Sequence, residues 1–321
     1  MKKVLVTGGA GFIGSHLSRE LRERGYRVTI LDDLSTGKKE NIRGLLDNAG
    51  DVQFVQDSIL NSVLLLKLMA GVDYVFHLAA VASVPASIRD PLASHAVNLT
   101  GTLNVLQAAV TSRVRKVVLF SSAAVYGDTP VMPQREDMLP MPLSPYAVTK
   151  LAGEYYCDVF KKAYRLDTVS LRFFNVYGPR QDPNSQYAAA IPKFITKVLS
   201  GQAPVIFGDG GQTRDFIFVR DAAAAAILAA ESDAAGVYNV GMGQTVTVNE
   251  LVRLILDING KKLEPIYQAA RPGDILHSRA DTSRLRALGF QPGFNLEKGL
   301  RETVDFFSGI PAGSPTTPEA R

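Results

Sequence analysis

Tyr146 and Lys150 stand four residues apart in Ser144-Pro145-Tyr146-Ala147-Val148-Thr149-Lys150, and Leu151-Ala152-Gly153-Glu154-Tyr155-Tyr156 continues the same helical pattern. Residues at that spacing share a helix face. An ammonium ion beside a phenol favours the phenolate. Tyr146 is thereby placed to act as a base near neutral pH, which a free tyrosine with a pKa of about 10 cannot do. The spacing alone means little, because such pairs occur by chance on many helices. It gains meaning from the β-branched stretch Lys116-Val117-Val118-Leu119-Phe120, which ends in Ser121-Ser122. A hydroxyl at a strand end and a phenol at the next helix start can converge on one reacting alcohol. Read alone, Ser122 is equally a turn cap.

The elements that must position this trio begin at the first strand. Lys3-Val4-Leu5-Val6 runs into Thr7-Gly8-Gly9-Ala10-Gly11-Phe12-Ile13-Gly14, and Ser15-His16-Leu17-Ser18-Arg19-Glu20-Leu21-Arg22 follows with helical spacing. Strand, glycine turn and helix cradle a diphosphate, since glycines let the backbone approach and the helix start offers free N–H groups. The spacing is G-x-x-G-x-x-G, and a tight turn without a ligand is the plainer alternative. The next strand, Arg27-Val28-Thr29-Ile30-Leu31, ends on Asp32. A carboxylate there accepts both hydroxyls of an adenosine ribose and repels a 2′-phosphate. Asp33 follows with no basic neighbour, so the reading is NAD rather than NADP.

The 321-residue chain suits one large α/β domain or two lobes. A formal charge of +4 is small for this length and gives no argument for nucleic acid. The apolar runs are too short to cross a bilayer, and the glycines interrupt the apolar stretch behind Lys2 and Lys3 that mimics a secretion signal. Cys157 is the single cysteine, which fits a reducing cytoplasm. His16, His77, His95 and His277 lack ligand spacing, so no metal is expected.

Further strands read at 52–55, 73–80, 116–120 and 167–172, alternating with helical segments that include a long one from Pro91 to Ser112. The pattern predicts an α/β fold: a Rossmann-type doubly wound parallel sheet with a smaller, partly interwoven C-terminal α/β lobe. The expected domains are 1–174 for NAD, 175–308 for the substrate, and a loose tail over 309–321. Asp57 reads either as a partner of the adenine amino group or as the cap of a helix starting near Ile59. Small residues after Phe76 leave space at the sheet crevice.

Taken together, TGGAGFIG, the Tyr146/Lys150 pair and Ser122 resemble the extended short-chain dehydrogenase/reductase family that works on nucleotide sugars. LDDLSTGKKENI, SSAAVYGD, RFFNVYGPRQDP, GDGGQTRDFIFVRD and ARPGDILHSRADTS extend the likeness from Lys2 to about Phe307, closest to its UDP-glucose 4-epimerases. The resemblance implies epimerisation at carbon 4 of a UDP-hexose through a 4-keto sugar, with Ser122, Tyr146 and Lys150 catalytic. It implies NAD contacts from Gly8, Gly11, Phe12, Ile13, Gly14, Asp32, Asp33, Asp57, Ser58, Leu78, Ala79, Ala80, Asn98, Tyr146, Lys150 and Phe173. It places the UDP-sugar against Ser83, Ser122, Asn175, Val205, Phe207, Arg214, Arg271, Asp274 and Ser278. It also implies a homodimer paired through helices near 98–112 and 146–163.

Val205 and Phe207 read equally as a core strand, and Asn98 as an ordinary helix residue. Ala123 and Ala124 stand where related dehydratases and decarboxylases carry carboxylates. Ala124 also departs from the serine or threonine usual in epimerases. Another epimerase, dehydratase or decarboxylase of the family, or an NAD-sensing regulator without turnover, remains the alternative. The resemblance places Ser278 and Ala82, both small, where glucose-restricted members carry larger residues, and so implies room for an N-acetyl group on the sugar.

Overall fold

The computed structural model describes residues 1–46, 50–183, 190–270 and 275–309. Strands β1 (Lys3–Thr7), β2 (Arg27–Asp32), β3 (Val52–Gln56), β4 (Tyr74–His77), β5 (Lys116–Ser122) and β6 (Asp167–Phe173) come from the first half of the chain. Later come β7 (Asn175–Tyr177), β8 (Val205–Phe207), β9 (Thr213–Arg214), β10 (Phe216–Phe218), β11 (Gly236–Val240), β12 (Val246–Thr247) and β13 (Ile266–Gln268). The main sheet runs β3-β2-β1-β4-β5-β6-β11, with every described pairing parallel. Its strands are apolar runs because helices cover both faces. One core cluster gathers Val4, Val6, Val28 and Ile30 with the alanine-rich segment 222–226; the other gathers Leu5, Leu31, Val75 and Val117 with Val105 and Cys157.

The helices are α1 (Phe12–Glu23), α2 (Arg43–Leu46), α3 (Ser62–Leu68), α4 (Val84–Arg89), α5 (Pro91–His95), α6 (Gly101–Thr111), α7 (Pro145–Tyr164), α8 (Ala190–Leu199), α9 (Val219–Glu231), α10 (Val248–Ile258), α11 (Ser283–Ala287) and α12 (Leu296–Ser308). Helix α7 starts where its sequence says it should: the Ser144 side chain accepts from the Ala147 amide and Pro145 occupies the first turn. The long helix expected over 91–112 is interrupted, because Ala96–Thr100 forms a π-helical turn between α5 and α6. The capping reading of Asp57 does not hold. Asn61 caps α3 by accepting from the Leu64 amide, and Asp57 accepts from the Ser58 amide and the Asn61 side chain.

Residues beyond 174 contribute to both halves. Strand β11 closes the main sheet beside β6, and α9 packs into the core that holds β1 and β2. Three two-stranded sheets, β7–β10, β9–β12 and β8–β13, form the rest. Helices α8, α10 and α12 close a separate core around Ile195, Ile206, Leu251 and Leu300. The order of the main sheet reverses at β1, whose neighbours are β2 and β4. The crevice beyond the carboxyl ends of β1 and β4 is where an open parallel sheet receives a ligand.

Candidate active site

The glycine turn fills the β1 side of that crevice. Gly8 has φ +71, and a Cβ there would lie 2.7 Å from the Ala79 nitrogen, so only glycine fits. A Cβ on Gly14 would lie 2.2 Å from the Gly8 oxygen, which is how α1 approaches β1 so closely. Gly11 caps α1 without a side-chain hydrogen bond, and the first turn carries no acidic residue. The helix start therefore presents unfilled N–H donors and a partial positive charge to an anion. Phe12 and Ile13 lie half-buried in that first turn.

Asp32 ends β2 inside the same crevice. Its carboxylate accepts from the Ala10 and Leu34 amides at 2.9 Å each. Burial pushes its pKa up while those backbone donors oppose the shift. A carboxylate has about four acceptor positions, so Asp32 keeps capacity for a ribose hydroxyl beside these backbone donors. Asp33 is exposed and accepts from the Ser35 amide. Leu78, Ala79 and Ala80 follow β4, half-buried and facing the turn. Ser58 accepts from the Leu60 amide. Uncapped helix start, glycine cradle and strand-end carboxylate together fit a dinucleotide diphosphate and its adenosine ribose.

The chemistry-bearing trio meets at the end of β5. Ser122 lies close enough to the Tyr146 phenol to oppose the effect of burial on it. Ser122 also accepts from the Ala124 amide at 3.1 Å, so it both caps a turn and faces the phenol. The Lys150 ammonium donates to the Phe120 carbonyl at 2.7 Å and lies 5.8 Å from the centre of the Tyr146 ring. Burial lowers the Lys150 pKa to about 8, opposed by Glu154. The phenol departs from the sequence expectation here: burial pushes the Tyr146 pKa up, with Ser122 pulling the other way. The ammonium is tied to the strand carbonyl, and loss of solvent dominates at the phenol.

Several residues outside the sequence reading hold this trio. Arg172 reaches Glu154 with both forks, at 2.9 and 2.7 Å, and each side chain is 3% exposed. The Ser121 hydroxyl donates to the same carboxylate at 2.5 Å. Ser121 pairs with Arg172 across the β5–β6 ladder, so one carboxylate pins two strands to α7. The signal was available: Glu154 continues the Tyr146, Lys150 spacing, and an arginine inside an apolar strand needs a partner. Asn98 is a brace. Its Oδ1 accepts from the Val81 amide at 2.7 Å, and its Nδ2 donates to the Val81 carbonyl and to Thr149 at 3.2 and 3.1 Å. Phe173 stacks on Phe120 with centroids 4.5 Å apart, at the end of β6.

Across the cleft, Asn175 donates through Nδ2 to the Asp215 carbonyl at 3.0 Å. Arg214 donates to the Thr213 and Leu276 carbonyls. Val205 and Phe207 are half-buried and flank the buried Ile206 in β8. Ser83 caps α4 by accepting from the Ala86 amide. Ser278 is buried, its hydroxyl 3.4 Å from the Gln134 amide oxygen. The Gln134 side chain thus stands beside Ser278. Arg271 and Asp274 lie outside the described residues. No helix among the described residues is long and apolar enough to cross a membrane.

Known proteins match this arrangement. The pattern of the NAD dependent epimerase/dehydratase family covers residues 4–241. A UDP-glucose 4-epimerase of Mycolicibacterium smegmatis is 41% identical over 310 residues, 95% of this chain and 98% of the relative. A UDP-N-acetylglucosamine 4-epimerase from Methanobrevibacter ruminantium, solved with UDP-N-acetylmuramic acid, superposes with a TM-score of 0.92 at 46% identity, covering 95% of this chain and 98% of the other. A UDP-glucose 4-epimerase from Thermus thermophilus, solved with NAD, gives 0.85 at 39% identity, over 96% and 99% of the two chains.

Proposed function

The chain belongs to the NAD dependent epimerase/dehydratase family, an enzyme family that works with NAD, and we propose that it interconverts UDP-hexoses at carbon 4. The substrates are UDP-glucose with UDP-galactose, and also UDP-N-acetylglucosamine with UDP-N-acetylgalactosamine. The observation that carries this reading is that Ser122 and Tyr146 are brought together beside Lys150, with Ala123 and Ala124 next in the chain.

The glycine turn, Asp32 and the end of β4 would hold NAD, which would supply acceptance and return of a hydride at carbon 4 of the sugar. Tyr146 takes the proton of the carbon 4 hydroxyl, and its phenol returns that proton when the hydride returns. Ser122 hydrogen-bonds both the phenol and the sugar oxygen. Lys150, fixed at the Phe120 carbonyl, holds the nicotinamide ribose and a positive charge near the phenolate. Alanines at 123 and 124 offer no carboxylate to strip a second proton or expel water, so the 4-keto sugar is left with reduction. Asn175, Arg214, Arg271 and Asp274 grip the nucleotide while the sugar turns, with Val205 and Phe207 against the uracil. Arginine forks suit diphosphate oxygens.

Two lobes, 1–174 for the cofactor and 175–308 for the nucleotide, divide this work, with β11 and α9 crossing between them. Val148, Tyr155 and Val159 form an exposed stripe along α7, which supports pairing with a second copy. The single cysteine fits a cytoplasmic home. Incubating the purified protein with each of the four UDP-sugars and resolving the products tests the reading. Absence of any epimer, with NAD present, sinks it.

A further inference from the structure

His77, at the end of β4, is buried with both ring nitrogens engaged. The Thr102 hydroxyl donates to the Asn98 carbonyl at 2.5 Å, so toward His77 Nε2, 2.9 Å away, it accepts. Nε2 therefore carries the proton. Burial lowers the His77 pKa to about 3, so the ring is neutral and Nδ1 is an acceptor. The Thr7 hydroxyl fills that role as donor at 2.7 Å, and its oxygen accepts in turn from the Ala79 amide at 3.3 Å.

Every donor in this run has one direction: Ala79 to Thr7 to His77, and His77 to Thr102 to Asn98. Beyond Asn98 the run continues through side chains. The Asn98 amide brackets both backbone groups of Val81 and donates to Thr149, which donates to the Tyr146 carbonyl at 2.8 Å. Its two ends are the cofactor crevice and the start of α7. Thr7 immediately precedes Gly8, and Ala79 is the residue whose nitrogen Gly8 approaches most closely. The π-helical turn at Ala96–Thr100 lies in the middle, at Asn98; such turns concentrate at functional sites.

We propose that His77 is a positioning residue for NAD: through Thr7 and Thr102 it fixes the backbone facing the cofactor relative to the helix that carries Tyr146. The inference rests on the NAD-binding reading of the glycine turn. A histidine serving the core alone would be replaceable by an apolar ring of similar size. Buried polar runs are favourable only when complete, so three side chains have been committed to one line of hydrogen bonds.

The test is a triple variant, Thr7→Val, His77→Phe and Thr102→Val, made in the full chain. Replacing all partners by apolar groups of similar shape costs little stability, unlike removing one. We expect a melting temperature close to wild type, with the NAD dissociation constant raised at least about tenfold, the effect of roughly one hydrogen bond. Two half-replacements sharpen it. His77→Asn keeps an acceptor toward Thr7, and His77→Gln keeps a donor toward Thr102. The first should retain NAD better, because the Thr7 end touches the crevice. A triple variant that holds NAD as tightly as wild type overturns the proposal, and so does NAD loss that only tracks lost thermal stability. If the triple variant does not fold, Thr102→Val alone decides: unchanged NAD affinity overturns the relay, and weakened affinity at unchanged melting temperature supports it. Wild-type protein that neither releases NAD on denaturation nor binds it in titration would instead defeat the cofactor reading itself.

Discussion

On the cofactor side of the cleft, Gly8, Asp32, Ala79 and Ser122 sit at the ends of strands that are paired along both edges. On the sugar side, Asn175, Val205, Phe207 and Arg214 sit on strands of two or three residues in two-stranded sheets, with β9 adding one bridge from Thr213 to His277. The first side is braced underneath by buried polar groups: Glu154 with Arg172 and Ser121, and His77 with two threonines. The second is held by backbone carbonyls and by the buried Asp215 carboxylate, which accepts from the Met242, Gly243 and Ala280 amides. The contrast matches the two tasks proposed for them. A cofactor that ends each turnover unchanged is served by a fixed cradle. A sugar that must present both faces is served by short elements that can adjust. Perturbing the braced side should therefore change rate and stability, and perturbing the other should change substrate choice.

The largest expected effect is Tyr146→Phe, which keeps the ring and deletes the proton acceptor. Loss of general-base help costs about a hundredfold to ten-thousandfold in rate. Epimer formation should fall by at least that range while NAD and nucleotide binding persist. A variant turning over at the wild-type rate would show that Tyr146 is not the base.

Next is Glu154→Ala, which strands the buried Arg172 guanidinium. Breaking one partner of such a pair typically costs about 3–5 kcal/mol. Denaturant unfolding should show a loss of that size, and the double variant Glu154→Leu with Arg172→Met should regain most of it. A single-variant loss under about 1 kcal/mol, the value of an exposed pair, would mean the clamp does not brace the site.

Lys150 offers a pH-dependent version of the same comparison. In the cofactor-free protein burial lowers its pKa to about 8 from the ordinary 10.5. Between those values the unfolded chain holds a proton that the folded chain does not, so this group makes stability rise with pH across the window. Lys150→Met removes that rise. Its stability relative to wild type should drop as pH goes from about 8 to about 10.5, by at most about 3 kcal/mol. Parallel stability curves for the two proteins would show that Lys150 is not depressed in the folded state.

What the chain reveals by itself follows the same division. The glycine turn, Asp32 and the Tyr146/Lys150 pair are legible because each is encoded within one element or across one βα unit. The Glu154–Arg172 pair spans 18 residues and the Thr7–His77 contact 70, and nothing local states either. Asp57 shows a different limit. Several polar residues precede α3, and propensity does not choose among them; the geometry gives the cap to Asn61. The π-helical turn at Ala96–Thr100 has no local cue, and it coincides with the side-chain commitments of Asn98 and Thr102. On the sugar side the reading found residue types but not their packing, as Gln134 against Ser278 illustrates.

That last contact gives the smallest and most selective effect. Ser278 is 8% exposed and meets Gln134, whose backbone N–H donates to the Arg279 carbonyl at 2.8 Å and whose backbone bridges to Ala280. Gln134 is thus fixed at its main chain, while its side chain is the group that must give way to a larger neighbour. On the proposed placement of the sugar, a serine there would let the Gln134 side-chain amide swing aside for an acetamido group. On the same placement, a tyrosine would displace that amide and close the space. Ser278→Tyr should therefore lower kcat/KM for UDP-N-acetylglucosamine at least about tenfold more than for UDP-glucose, since a steric block acts against the substrate carrying the extra group. Gln134→Ala in the Ser278→Tyr background should restore part of the lost activity by giving the tyrosine somewhere to go. Equal losses on both sugars would mean that residue 278 shapes the lobe without choosing its substrate, and the proposed difference between the two sides of the cleft would fail at its most exposed point.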